Sequence, residues 1–331
     1  MMNRKVSVAP MMDCTDKHER YFLRLISKNV LLYTEMIVSE AIERGDREKL
    51  LSFNLEEKPV ALQLGGSSPK LLSNAAKIGE EYGYDEINLN LGCPSKKVQK
   101  NKFGACLIKE PKLVADCLSE MQSKTKLPVT VKTRIGYDQV EDYDHLFKFI
   151  DLLKSTGIKT FIIHARKAML GKFTPKQNLN IPPLKYEMVY KLKEDFKELN
   201  IIINGGITSA EQIKNHIKKV DGVMMGRAIY HSPYLLADIE KEIFKNENVS
   251  SRQEVVENLV IYLKNEIKKG TRINQVMRHT LGLFHGQTGS NFWKRYLSEN
   301  MCVRDADIQK VDHILNKVKL NNVTQPTGQI D

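Results

Sequence analysis

Long apolar runs are missing from this 331-residue chain. Nowhere does it approach the roughly 18 uninterrupted apolar residues of a membrane helix, and the basic start Met1-Met2-Asn3-Arg4-Lys5 leads into an apolar stretch too short for a secretory leader. The expectation is a cytoplasmic protein with no membrane contact. Cysteine is scarce too. Cys14, Cys93, Cys106, Cys117 and Cys302 include no Cys-x-x-Cys pair and leave one over in any pairing, which speaks against a disulfide framework and a structural zinc site, so no metal is expected. No Gly-x-Gly-x-x-Gly follows an apolar run, which speaks against a tightly held dinucleotide of the Rossmann kind. Acid is short relative to base, 40 Asp+Glu against 51 Lys+Arg, and the resulting charge of +11 points weakly to a polyanionic partner.

What is present is a regular alternation. From residue 6 to about 240, short β-branched runs at Val6–Ala9, Leu31–Thr34, Val60–Gln63, Glu86–Leu89, Val129–Lys132, Thr160–His164, Ile201–Asn204 and Gly222–Met225 alternate with helical periodicity. Helices are expected at Pro69–Tyr82, Pro111–Ser123, Glu141–Ser155 and Ser209–Lys219, where a leading Pro or Ser supplies the start signal. Eight βα units in this length fit an α/β fold of the (β/α)8 TIM-barrel type better than an open doubly wound sheet. Beyond residue 240 the β-type runs stop, and Gln253–Lys269, Ile273–Phe284, Asn291–Glu299 and Ala306–Lys319 read as helices. The expected organisation is a catalytic barrel over 1–240 and a small C-terminal all-helical domain over 241–331, its polar tail from Leu320 frayed.

The helical part is basic: between Lys264 and Arg295, seven basic residues face only Glu266. A solvated helix face is the usual explanation of such a run. The single tryptophan, Trp293, and Tyr296 beside Lys294-Arg295 favour an RNA surface instead.

Barrel enzymes assemble their sites where strands end. Here the ends are Pro10-Met11, Glu35, Gln63, Asn88 with Asn90, Lys132 with Arg134, His164 with Arg166, Asn204-Gly205-Gly206 and Gly226-Arg227. Residues two apart share a strand face, so an inward orientation would gather several cations, and a buried cluster of that kind requires an anionic ligand or structural ion pairs. The glycines after strands seven and eight stand where barrels commonly hold a phosphate through backbone N–H groups. Gly92-Cys93-Pro94-Ser95 forms a shaped loop after strand four. Thiols, with ordinary pKa values of roughly 8.5, are largely protonated near neutrality, so a cysteine on that loop can act as an acid without a partner base. Cys14 is the alternative thiol, and Cys106, Cys117 and Cys302 read as small core residues.

The runs Ser7–Met12, Ala61–Gly66, Tyr84–Ser95, Val129–Gly136, Phe161–Lys167, Ile203–Gly206 and Gly222–Arg227 together resemble the tRNA-dihydrouridine synthases. Phe103–Leu107, Asn178–Leu184, Arg278–Phe284 and Trp293–Glu299 are most similar to the DusA branch of that family, which acts on positions 20 and 20a of the D-loop. The resemblance implies a barrel holding FMN, NADPH as its transient reductant, and a helical domain that binds tRNA, with no obligate protein partner. By the same resemblance, FMN would be held by Pro10, Met11, Met12, Gln63, Lys132, His164, Asn204, Gly205, Gly206, Gly226 and Arg227. Cys93 would donate the proton and Asn90 would face the base. Lys176, Leu179, Arg278, Lys294 and Arg295 would follow the tRNA path, with Arg134 and Arg166 also on the substrate side. Leu179 and Asn291-Phe292 depart from the basic residues common at those places in the branch.

The chemistry suits these residues. Hydride addition at C6 of uracil drives negative charge toward C5 and the C4 oxygen, so an acid must protonate C5; a cysteine does so and keeps the charge as thiolate. Lys132 would stabilise charge near flavin N1, its structural alternative being an ion pair with Glu35. Other readings are a synthase acting elsewhere in the D-loop, a flavin dehydrogenase of free pyrimidines, and a non-catalytic tRNA-binding factor.

Overall fold

The computed structural model describes residues 3–301 apart from Lys172, so Cys302, the helix expected at Ala306–Lys319 and the tail from Leu320 lie outside the described residues. All eight expected strands form: β1 (Val6–Val8), β2 (Leu32–Val38), β3 (Val60–Gly65), β4 (Glu86–Leu91), β5 (Val129–Arg134), β6 (Thr160–His164), β7 (Asn200–Asn204) and β8 (Gly222–Met225). They pair in parallel in the order β1-β8-β7-β6-β5-β4-β3-β2. The two ends meet through a parallel bridge between Ser7 and Leu31, where Val8 N–H donates to the Leu31 carbonyl at 2.9 Å and Leu31 N–H to that of Val6 at 3.2 Å. The sheet closes on itself as a (β/α)8 barrel.

The connecting helices begin where the sequence signals a start. Ser68 caps Pro69–Glu81, Asp142 caps Tyr143–Lys154 and Ser209 caps Ala210–His216, each side chain accepting a backbone N–H three residues on; Pro111 opens Pro111–Lys124. Strands β2 to β5 run further than the apolar periodicity suggests, to Val38, Gly65, Leu91 and Arg134. In β4 and β5 the added polar residues keep the ladder paired, as in Asn90 beside Lys132 and Arg134 beside His164.

The lower interior is filled by Ala9, Leu31, Tyr33, Ala61, Ile162, Ile202 and Met224. One buried carboxylate breaks this apolar layer. Glu86 accepts from Arg4 Nε (3.0 Å) and Nη2 (2.6 Å), from the Tyr33 hydroxyl (2.5 Å) and from Thr130 Oγ1 (2.7 Å). Burial, and then the adjacent Glu86, hold the Tyr33 phenol well above its ordinary range, so it remains a donor.

By contacts the chain divides into two compact units: residues up to Lys17 with Asn29–Gly226, and His18–Lys28 with the residues from Arg227 onwards. The division falls ahead of the boundary expected at 240, and the second unit takes in a helical segment from near the start of the chain, because its helices pack on that segment. There, His18 Nδ1 meets the Tyr262 hydroxyl at 2.7 Å, His279 Nδ1 lies 3.0 Å from Glu19 Oε2, and Ser27 bonds Glu240. Its longer helices are Leu235–Glu242, Arg252–Lys268 and Ser290–Asn300.

The expected role of Trp293 is corrected here. Its ring is 5% exposed and its indole N–H donates to the Thr280 carbonyl at 2.9 Å. Trp293 and Leu297, four apart, lie on the inward face of their helix, leaving Lys294 and Arg295 exposed; Tyr296 stacks on Phe292 at 5.9 Å between ring centroids. Among the described residues, no helix is long and apolar enough to cross a membrane.

Gly222, opening β8, carries the tightest approach in the barrel wall: a Cβ there would lie 2.1 Å from the Arg4 carbonyl oxygen. Backbone cannot yield as a side-chain tip can. Gly222→Ala is expected to cost about 3 kcal/mol or more, read as a lower thermal midpoint, whereas Gly83→Ala, with nothing within 4 Å of the added carbon but φ at +85°, should cost only about 1 kcal/mol.

Candidate active site

Gln63, Asn88, Asn90, Lys132, Arg134, His164 and Asn204 occupy neighbouring positions on β3 to β7, on strand faces that turn into the barrel. Lys132 Nζ donates to Asn204 Oδ1 at 2.9 Å, and Asn204 is held in that orientation by its own Nδ2–H donating to the Met224 carbonyl at 2.8 Å. Glu35 does not pair with Lys132 but accepts the backbone N–H of Asp13, so the structural alternative for Lys132 falls away. Burial, seconded by Arg134, pushes the Lys132 ammonium down to about 7, and burial pushes Arg134 down to about 10. His164, 7% exposed, is held well below its ordinary range by burial and then by Arg134 and Lys132. Its Nδ1 is buried with no hydrogen-bond partner. Among the described residues none of these three side chains is paired with a carboxylate. Cations and an orphaned nitrogen gathered in this way fit an anion with hydrogen-bonding atoms.

Beside them the backbone opens. Gly205 and Gly206 have φ of +119° and +72°, and a Cβ on either would lie 2.9 or 2.5 Å from the Leu184 side chain. Tyr186 fixes this turn by donating to the Gly205 carbonyl at 2.7 Å. After β8, a Cβ on Gly226 would come within 3.3 Å of Met11 Sδ. Met11, anchored by its N–H to Thr15 Oγ1 at 3.0 Å, is half-buried like Pro10, and Met12 is exposed. This cradle fits a phosphate-bearing planar cofactor. Arg227 is exposed and opens the helix Arg227–His231 in the second unit.

The Cys93 loop is held from several sides. Asn90 Oδ1 accepts from Gly92 N–H at 3.1 Å and Cys93 N–H at 3.0 Å, while Arg134 Nε and Ala105 N–H donate to the Gly92 and Cys93 carbonyls at 2.8 and 3.0 Å. The half-buried Cys93 thiol lies near enough to Lys132 and Arg134 that a thiolate there would favour both cations. The remaining thiols differ: burial pushes Cys117 up to about 12, Cys106 donates to the Phe103 carbonyl at 3.1 Å, and Cys14 is half-buried.

The residues expected along the tRNA path are divided between the two units. Arg134 commits its guanidinium to backbone, with Nη1 also donating to Lys167 and Asn178 carbonyls at 3.1 and 3.3 Å. Arg166 Nη1 donates to the Pro182 carbonyl. Lys176 is exposed and Leu179 half-buried on the helix Pro175–Asn180. Arg278, half-buried, and Lys294 and Arg295, both exposed, belong to the second unit. Sequence reasoning missed Thr130 and Asn178. Thr130 stands two before Lys132 on the same strand face, a readable signal. Asn178, fully buried, ties Met169, Phe173 and Thr174 into one loop through four backbone bonds, which no local pattern announces.

Comparison with known proteins adds an independent line. The model of the dihydrouridine synthase (Dus) family matches residues 7–319. A Synechocystis tRNA-dihydrouridine(20/20a) synthase is 50% identical over 319 residues, covering 96% of both chains. Proteins of that same name from Shewanella oneidensis and Escherichia coli are each 49% identical, over 98% and 95% of this chain and 97% and 91% of their own. A closed parallel barrel with a cationic, glycine-cradled mouth, matched at this level over almost all of its length, belongs to the dihydrouridine synthase family.

Proposed function

We propose that this chain reduces uridine to 5,6-dihydrouridine in the tRNA D-loop, at positions 20 and 20a, with FMN as bound cofactor and NADPH as transient reductant, in the cytoplasm. The family is flavin-dependent in general. The observation that carries the reading is the meeting of the partnerless His164 nitrogen, Lys132 and the Gly205-Gly206 cradle beside the Cys93 loop.

On this reading Pro10, Met11, Met12, Gln63, Lys132, His164, Asn204, Gly205, Gly206, Gly226 and Arg227 hold the cofactor. When bound, the flavin supplies the reducing equivalents for the uracil C5=C6 bond. Cys93 gives its proton to C5, and Lys132 and Arg134 stabilise the thiolate left behind. Asn90 has both lone pairs of Oδ1 taken by the loop and one N–H given to Gln63, so a single N–H remains for a uracil carbonyl. The target nucleotide leaves its loop stack to reach the mouth, which costs less for a loop base than for a paired one. Exposed Lys294 and Arg295 supply phosphate contacts from the second unit.

Dihydrouridine mapping in cells lacking the gene should reveal loss at 20 and 20a, restored by wild type and not by Cys93→Ala. Loss confined to 16 or 17 would discard the position assignment, and restoration by Cys93→Ala would discard the acid. In purified protein, Cys93→Ala should lower turnover by about a hundredfold or more while tRNA affinity stays within about twofold; equal losses in both would sink the acid role.

Lys132 gives a pH dependence. Its ammonium is pushed down to about 7, and an anionic flavin bound against it favours the charged form, so binding takes up a proton. FMN affinity of the apoprotein should therefore fall as pH rises above 7, by up to about tenfold per pH unit. Lys132→Met should bind more weakly with a flatter profile between pH 7 and 9, followed by quenching of flavin fluorescence.

A further inference from the structure

Beneath the mouth, five side chains form an unbroken hydrogen-bonded file through the barrel. Thr130 Oγ1 donates to Glu86 Oε1 at 2.7 Å, Asn88 Nδ2 to Thr130 Oγ1 at 2.8 Å, Gln63 Nε2 to Asn88 Oδ1 at 2.8 Å and Asn90 Nδ2 to Gln63 Oε1 at 2.8 Å. Asn90 Oδ1 then accepts the N–H groups of Gly92 and Cys93. Every side chain in the file is at least nine-tenths buried.

The two ends of this file allow only one polarity. Backbone N–H groups can only donate, so Asn90 must turn its oxygen to the loop and its nitrogen inward. The Glu86 carboxylate, clasped by Arg4 and Tyr33, can only accept, so Thr130 must point its hydrogen down and offer its oxygen to Asn88. Each amide between has one orientation that satisfies both neighbours, and the two requirements meet without a donor facing a donor.

We propose that Glu86, at the floor of the barrel, is a positioning residue for the reaction: through Thr130, Asn88, Gln63 and Asn90 it fixes the orientation of the Cys93 loop and leaves Asn90 one N–H for the base. Arg134 and Ala105 hold the loop's carbonyls, and the file holds its N–H groups. The catalytic half of the proposal rests on Cys93 as the acid.

Thr130→Val tests it, because valine keeps the shape and removes the hydroxyl that joins Asn88 to Glu86. The expected result is about a tenfold fall in kcat with KM for tRNA within about twofold, and amide exchange at Gly92 and Cys93 faster by about tenfold. Thr130→Ser should restore both. Tyr33→Phe removes a bond to the same carboxylate outside the file and should leave turnover and exchange near wild type. Unchanged exchange at Gly92 and Cys93, no restoration by serine, or an equal effect of Tyr33→Phe would each overturn the proposal. Should Thr130→Val not fold, Thr130→Ala leaves the same gap and is read by the same criteria. Cys93→Ala with full turnover would remove the acid alone, since exchange judges the file without reference to it.

Discussion

A carboxylate at the floor of a barrel is tolerable only if its charge and lone pairs are answered, and at Glu86 they are, by Arg4, Tyr33 and Thr130. Taking such an ion out of water costs several kcal/mol before its partners act. A leucine would fill the space more cheaply, but an apolar floor sets no polarity. With Glu86 in place, the amides of Asn88, Gln63 and Asn90 stand in a fixed order up to the loop that carries Cys93. The buried ion pair thus supplies direction more than stability.

The mouth has the opposite character. Among the described residues no carboxylate pairs with Lys132, Arg134 or His164, and burial above all, with neighbouring cations second, lowers their affinities for protons. Arg134 is tolerated because it hands its hydrogens to the backbone carbonyls of Gly92, Lys167 and Asn178. His164 Nδ1 receives no such compensation. A site arranged in this way is less stable empty than filled, so an anionic occupant is linked to folding as well as to chemistry.

Much of this was legible from residue order. Apolar runs and Ser and Pro start signals located the strands and several of the helices, because local capping and period-2 alternation are written in neighbouring residues. The glycines after β7 and β8 and the Gly-Cys-Pro turn were readable for the same reason. The reach of β4 and β5 was not, since Asn90 and Arg134 look like loop residues until the barrel closes around them. Trp293 misled because its basic neighbours suggested exposure, and only the helix phase turns it inward. The polar file depends on Gln63, Asn88 and Thr130 from three strands, a juxtaposition no single segment encodes.

The segment His18–Lys28 lies between β1 and β2 in the chain yet belongs with the residues from Arg227 onwards. During synthesis it leaves the ribosome early, and its partners, from Arg227 onwards, follow only after β8. His18, Glu19 and Ser27, whose partners are Tyr262, His279 and Glu240, must wait through the making of almost the whole barrel. The second unit is therefore completed only when segments from either side of the barrel strands meet, and a nascent chain halted after β8 carries a helical segment whose later partners have not yet been made.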